Sequence, residues 1–136
     1  MKNEPSEDLL AVEIEPLGDD VAVVRLTGEI DISSAHLLSS QFTSMVAQGK
    51  SAVIVDATKV VFMDSTGLHA LVEGKRALHE HGARIFLVPS KQVRRVLELV
   101  FPDPLFAARL DSVEEAVAAL NGEIADDRAR QSHEGE

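Results

Sequence analysis

The hydroxyl groups of Ser65 and Thr66, between Asp64 and Gly67, are the groups of this chain best placed to do chemistry. Residues 60–63 before them are apolar and the residues after them follow a helical period, which indicates a strand-to-helix junction. In an α/β sheet such a junction lies beyond the carboxyl end of a strand, where partners dock. The first N–H groups of a helix lack partners within it, and the helix dipole is positive there. We therefore expect an exposed Ser65 hydroxyl that can carry a phosphate.

Other interpretations of the same residues are simpler. Asp64 or Ser65 can serve only as a helix N-cap, a common role for these residue types. A catalytic Ser65 is disfavoured, because no Gly-x-Ser-x-Gly elbow surrounds it and no histidine lies in an obvious base position. Nucleotide binding is set aside because neither a P-loop nor a G-x-G-x-x-G motif occurs. The missing side chain of Gly67 is expected to let a kinase approach the hydroxyl closely.

Strands are indicated in four segments around this junction. Residues 10–14 alternate apolar with other side chains, residues 21–26 are rich in valine, and Gly18-Asp19-Asp20 between them predicts a hairpin. The continuous apolar runs 53–55 and 85–88 are typical of strands buried on both faces, so we place both in the middle of a sheet. A further short strand is expected at residues 106–108.

Helices are indicated at residues 33–48 and 65–81, with Gly49 and Gly82 as their C-terminal stops. Two more should begin after the N-caps Ser90 and Ser112, the second with the S-x-x-E capping box. The order of elements predicts an α/β fold, in which a mixed, mainly parallel β-sheet packs against about four helices. The inward positions are Ala35, Leu38, Phe42, Met45 and Val46, then Val93, Val96, Leu97 and Val100, and finally Val113, Ala116, Val117 and Leu120.

The composition excludes several classes of protein. Without cysteine the chain has no disulfides or thiolate metal sites, and its histidines form no HExxH motif, so we expect no metal and no cofactor. The net charge of -10 argues against nucleic-acid binding. No apolar stretch approaches the roughly 20 residues that span a bilayer, and the N-terminus is acidic, so we expect a cytoplasmic protein without a membrane partner. Residues 1–8 and 121–136 are assigned to flexible tails, the second one acidic, and residues 9–120 to one domain.

Two separated motifs together resemble the STAS domain of bacterial anti-sigma-factor antagonists. They are Gly28-Glu29-Ile30-Asp31 and Met63-Asp64-Ser65-Thr66-Gly67-Leu68. The order of strands and helices is also similar, and the resemblance covers roughly residues 9 to 120, including Leu105-Phe106 and the last helix. It implies the STAS fold.

The resemblance implies a binding protein rather than an enzyme. Its unphosphorylated form would bind an anti-sigma factor with serine kinase activity and so release a sigma factor for transcription. The kinase would phosphorylate Ser65 with ATP and switch binding off, and a metal-dependent serine phosphatase would reverse the reaction. The implied partner-binding residues are Asp31, Asp64, Ser65, Thr66, Gly67 and Leu68. The alternative is a STAS scaffold or accessory module of a stress-sensing or lipid-transport complex, without a phosphorylation cycle.

Several points stay open at this level. Asp31 can cap the amides of Ser33 or Ser34, or it can contact a partner. Thr66 offers a second hydroxyl for modification. His69 stands where many relatives have a small residue, and it could alter the choice of partner. The segment 101–105 is either part of a partner surface or a Pro-bounded loop. Whether the protein forms a homodimer is also open, as are the particular sigma factor and the upstream signal.

Overall fold

The computed structural model describes residues 10–100 and 110–122. Within these residues four strands form one sheet, and four helices pack against it. The elements are β1 (Leu10–Leu17), β2 (Val21–Ile30), α1 (Ala35–Ala47), β3 (Ala52–Met63), α2 (Ser65–Glu80), β4 (Arg84–Pro89), α3 (Lys91–Val100) and α4 (Val113–Leu120). Four predicted segments lie wholly or mostly outside the described residues. They are the tail 1–8, the segment 101–105, the strand 106–108 and most of the tail 121–136.

The sheet is mixed and mainly parallel, as the order of elements predicted. β1 and β2 form the antiparallel hairpin, paired from Leu10 with Gly28 to Leu17 with Val21. β3 runs parallel to both β2 and β4, which gives the order β1-β2-β3-β4. Among the described strands β4 is last in the order, and the predicted strand 106–108 lies outside the described residues. The apolar run of β4 fits its burial, since both of its faces are covered.

The two faces of the sheet have separate cores. Alternate residues of each strand point to opposite faces, so Val53 and Val55 of β3 pack with α1, α2 and α3, while Ile54 packs with α4. Leu87 and Phe86 of β4 divide in the same way. Because two layers of helices enclose the sheet, the ends of the central strands β2 and β3 are the places where polar loops emerge.

The helix ends follow the local signals closely. α2 ends as predicted before Gly82, whose φ of 85° favours glycine, and the N–H of Ala83 donates to the Leu78 carbonyl at 2.9 Å. Ser90 Oγ accepts from the N–H of Val93 at 3.1 Å, and Ser112 Oγ accepts from that of Glu115 at 3.1 Å. Both predicted N-caps are thus confirmed. The Glu115 carboxylate accepts in return from the Asp111 N–H rather than from that of Ser112.

Arg25 of β2 ties three strands together on the α4 face. Its guanidinium donates to the Glu15 carboxylate of β1 at 2.6 Å and to the Asp56 carboxylate of β3 at 2.8 Å. The hydrogen bond with Glu15 is the main cause that raises the pKa of Arg25, and burial opposes it. The negative charge of Glu15 and the interaction with Asp56 raise the pKa further. Arg25 therefore serves the register of the sheet.

Candidate functional site

The start of α2 presents Ser65 to solvent. Asp64 is the N-cap, with an extended backbone, and its Oδ1 accepts from the Gly67 N–H at 2.9 Å. Ser65 is the first residue of the helix and is exposed. Of the two capping residues that the sequence left open, Asp64 is the one that forms the bond. The Ser65 side chain lies outside the capping bond, at the positive end of a 16-residue helix.

Two contacts hold this helix start against the end of β2. The N–H of Asp64 donates to the Ile30 carbonyl at 3.2 Å. Gly67 is buried against the same residue: a Cβ there would lie 2.8 Å from Ile30 Cγ2 and 2.9 Å from its carbonyl carbon. Such distances are too short for carbon atoms, so only glycine fits this close approach. The sequence suggested that the missing side chain makes room for a kinase; in the structure it makes room for Ile30.

This packing brings the two sequence motifs together. Met63, the last residue of β3, pairs with Ile30, the last residue of β2. Asp31 and Asp64 follow these two residues directly, so both carboxylates lie at the same end of the sheet. Both remain partly exposed. The result is an acidic surface beside the Ser65 hydroxyl.

Asp31 is held in a tight polar loop before α1. Its Oδ1 accepts from the Ser33 hydroxyl at 2.7 Å and from the Ser33 N–H at 3.0 Å. The hydrogen bond from the Ser33 hydroxyl is the main cause that lowers the pKa of Asp31, and the bond from the Ser33 N–H adds to it. Desolvation of the carboxylate acts in the opposite direction. The buried Ser34 hydroxyl donates to the Glu29 carbonyl at 2.8 Å. Because residues 32–34 form this turn, α1 begins at Ala35, two residues later than predicted. The capping role of Asp31 toward Ser33 is therefore present.

Exposed apolar side chains near these carboxylates were missed by the sequence analysis. Ile32 is 78% exposed, Val61 59% and Phe62 48%. The pairing of β2 with β3 slips between Gly28 and Glu29, so that Val61 is an extra residue in β3. The slip turns Val61 and Phe62 outward in a run that reads as buried strand. Ile32 directly after the first motif was the one signal in the sequence, since a large apolar residue stands there in a polar turn.

The other predicted site residues have different exposures. Thr66 is half-buried, and Leu68 is buried in the core between the sheet and α2. Leu68 and Val72 also floor a shallow hollow of about 220 Å³ on α2, which Ser65, His69, Glu73 and Arg76 line. His69 is exposed and lies one helical turn from Ser65.

The described part of the chain holds neither a metal-ligand cluster nor a membrane-spanning helix. In residues 10–100 and 110–122 no three histidine or carboxylate side chains come together as metal ligands. Over the same ranges no helix combines the length and the apolar character needed to cross a bilayer. What this end of the sheet offers is an exposed hydroxyl, two carboxylates and apolar side chains.

Known proteins resemble this chain in sequence or in fold. The chain is 28% identical over 82 residues to the anti-sigma-B factor antagonist of Staphylococcus epidermidis, which covers 60% of this chain and 76% of that protein. The crystal structure of an anti-sigma factor antagonist from Mycobacterium paratuberculosis matches with a TM-score of 0.73 and 26% identity, over 88% of this chain and 99% of that one.

The anti-sigma factor antagonist SpoIIAA is similar to this chain in two solved forms. Its unphosphorylated form matches with a TM-score of 0.70 and 26% identity, over 82% of this chain and 97% of that one. The phosphorylated form of this Bacillus cell fate determinant matches with a TM-score of 0.65 and 25% identity, over 81% and 99%. The family model of the STAS domain matches residues 14–116. The chain therefore belongs to the STAS domain family.

Proposed function

We propose that this protein is an anti-sigma-factor antagonist controlled by phosphorylation of Ser65. Its unphosphorylated form binds an anti-sigma factor with serine kinase activity and thereby frees a sigma factor. The observation that carries the proposal is the exposed Ser65 hydroxyl at the start of α2, outside the cap that Asp64 provides. The names of the relatives support the partner class, and SpoIIAA, which is similar over most of its length, has been solved with and without phosphate.

The partner surface lies around Ser65 at the shared end of β2 and β3. Exposed Ile32 and Phe62 supply apolar area, and Asp31 and Asp64 supply negative charge. Interfaces of this kind gain affinity from a buried apolar centre, while complementary charges set specificity and the rate of association. A matching partner surface is apolar with basic groups at its edge. Gly67 and Leu68 contribute indirectly, because their packing against the sheet fixes the position of Ser65.

Phosphorylation acts on this surface through charge. The γ-phosphoryl group of ATP is transferred to Ser65 Oγ, the hydroxyl proton leaves, and ADP is released. The product adds about -1.5 to -2 charge at neutral pH next to the Asp64 carboxylate. The free amides at the start of α2 make this charge tolerable to the fold. Within an interface that already carries Asp31 and Asp64, its repulsion and desolvation cost several kcal/mol, about a hundredfold or more in affinity.

The reverse reaction requires access to the phosphorylated side chain. Ser65 is exposed, so a serine phosphatase can reach its phosphate without unfolding α2. No large rearrangement of the domain is needed for either direction. The switch therefore consists of a local charge on a rigid surface.

Phosphate mapping tests the proposal. The serine-kinase anti-sigma factors of the organism that encodes this chain are purified and incubated singly with the full chain and ATP. One of them should add a single phosphate, located at Ser65 by mass spectrometry. Thr66→Ala is the matched control, since it removes the neighbouring hydroxyl and should still be labelled. Labelling that survives in Ser65→Ala would refute the assignment, and stable binding without labelling would favour the scaffold role.

A further inference from the structure

His69 is the basic side chain nearest along α2 to the Ser65 hydroxyl. The two residues are spaced i and i+4, which puts their Cβ atoms about 5–6 Å apart on one face of a helix. Side chains in a helix lean toward its N-terminus, so His69 leans toward Ser65. Both side chains are exposed, and both line the same hollow above Leu68 and Val72. The hollow is therefore lined by the hydroxyl-bearing Ser65 and the imidazole-bearing His69.

We infer that His69 binds the phosphoryl group of phosphorylated Ser65 and positions it along α2. This inference rests on the proposed function, since it requires a phosphate on Ser65. An imidazolium donates an N–H to a phosphate oxygen in a charge-assisted hydrogen bond. The partner chemistry is a phosphate monoester dianion on the same chain. His69 is a positioning residue, because it fixes where the added charge lies.

The other basic side chain of the hollow, that of Arg76, is too far from Ser65 to replace His69. Arg76 lies eleven residues beyond Ser65, about 16 Å along the helix axis. Its guanidinium donates to the Glu73 carboxylate at 2.9 Å. Glu73 is one turn beyond His69 and lines the same hollow. The arrangement along α2 is thus hydroxyl, imidazole, carboxylate and guanidinium.

Few charged groups of the neighbouring elements lie on the same side of the sheet as Ser65 and His69. α1, which packs against α2, carries His36 as its only titratable side chain. On β2, β3 and β4 the charged groups alternate onto the α4 face of the sheet, opposite α2. They are Arg25, Glu29, Asp56, Lys59 and Arg84. At the end of the sheet beside Ser65 the carboxylates are Asp64, bonded to the Gly67 N–H, and Asp31, bonded to Ser33.

The pairing depends on pH in a defined way. An unperturbed imidazole is charged below about pH 6.5, and a phosphoserine becomes a dianion above about pH 6. The attraction is strongest where both groups are charged, between about pH 6 and 6.5. An imidazolium beside the phosphate favours its dianion. Loss of the second phosphate proton should therefore move to lower pH.

A titration of the phosphorylated full chain tests the inference. Phosphoserine is installed at position 65 during translation with an expanded genetic code, and the ³¹P chemical shift is followed against pH. The midpoint in the wild type should lie about half a pH unit below that in His69→Gln. His69→Arg should restore the low midpoint. His79→Gln, at the far end of the same helix, should match the wild type.

The contrary result is equally clear. Coincident midpoints in the wild type and His69→Gln would overturn the role of His69. The amides at the start of α2 act on the phosphate in both proteins, so the difference between them isolates the imidazole. Installing the phosphoserine directly separates this test from the proposed function. Failure of every kinase to label Ser65 would count against the switch but would leave the titration interpretable.

Discussion

Gly67→Ala probes the close packing that positions Ser65. The added methyl group would lie 2.8 Å from Ile30 Cγ2, 2.9 Å from the Ile30 carbonyl carbon, and nearer still to the carbonyl oxygen. The nearest atoms include backbone, which cannot rotate away as a flexible side chain can. The start of α2 must therefore move off the end of β2.

The cost of this movement has three parts. Overpacking a tight contact costs about 1–3 kcal/mol. Moving α2 also weakens the 3.2 Å hydrogen bond from the Asp64 N–H to Ile30, which is worth about 1 kcal/mol. Alanine offsets part of this, since it is favoured over glycine within a helix by up to about 1 kcal/mol. We expect a net loss of about 2–3 kcal/mol in the free energy of unfolding.

Urea unfolding measures this loss. The chain has no tryptophan or tyrosine, so far-ultraviolet circular dichroism is the suitable signal. Ser65→Ala is the matched control, because it changes an exposed residue of the same helical turn and should stay within about 0.5 kcal/mol of the wild type. A Gly67→Ala protein as stable as the wild type would refute the close-approach explanation for this glycine.

Three other changes test the surrounding structure. Asp64→Ala removes the N-cap of α2 and should cost about 1 kcal/mol in the same urea assay. Gly74→Ala would place a methyl group 2.5 Å from Phe42 Cε2 and should destabilise the protein. Adding Phe42→Leu to the same chain should recover part of the lost stability, and additive effects of the two changes would contradict the contact. The lowered pKa of Asp31 implies stability that is present above its ordinary value of 3.8 and lost as the pH falls through the lowered value. Thermal unfolding should therefore separate Asp31→Asn from the wild type at pH 7 but not in strong acid, and a constant difference would exclude this linkage.

Local signals explain how much of the fold was predictable. Ser90, Ser112 and Gly82 mark helix ends through bonds within a few residues, and each behaves as expected. The start of α2 at Ser65 was predicted for the same reason. The hairpin at Gly18 and the parallel arrangement of β3 follow from the order of elements.

Long-range contacts explain what could not be predicted. The role of Gly67 depends on Ile30, which is far away in sequence, and the outward turn of Phe62 depends on a slip in pairing with β2. The burial of β4 on both faces was recognised from its apolar run, whereas the register of its pairing with β3 depends on residues distant in sequence. Ser65 and His69 line one hollow because they lie on the same face of α2. The comparison of single residues with the STAS motif did not consider that face.

The affinity of one purified anti-sigma factor for the chain with and without phosphate on Ser65 tests the central claim most directly. Isothermal titration calorimetry at fixed salt and pH compares the unmodified protein with the form that carries phosphoserine at position 65. The charge mechanism predicts a dissociation constant at least about a hundredfold higher for the phosphorylated form. Equal dissociation constants for the two forms would contradict it.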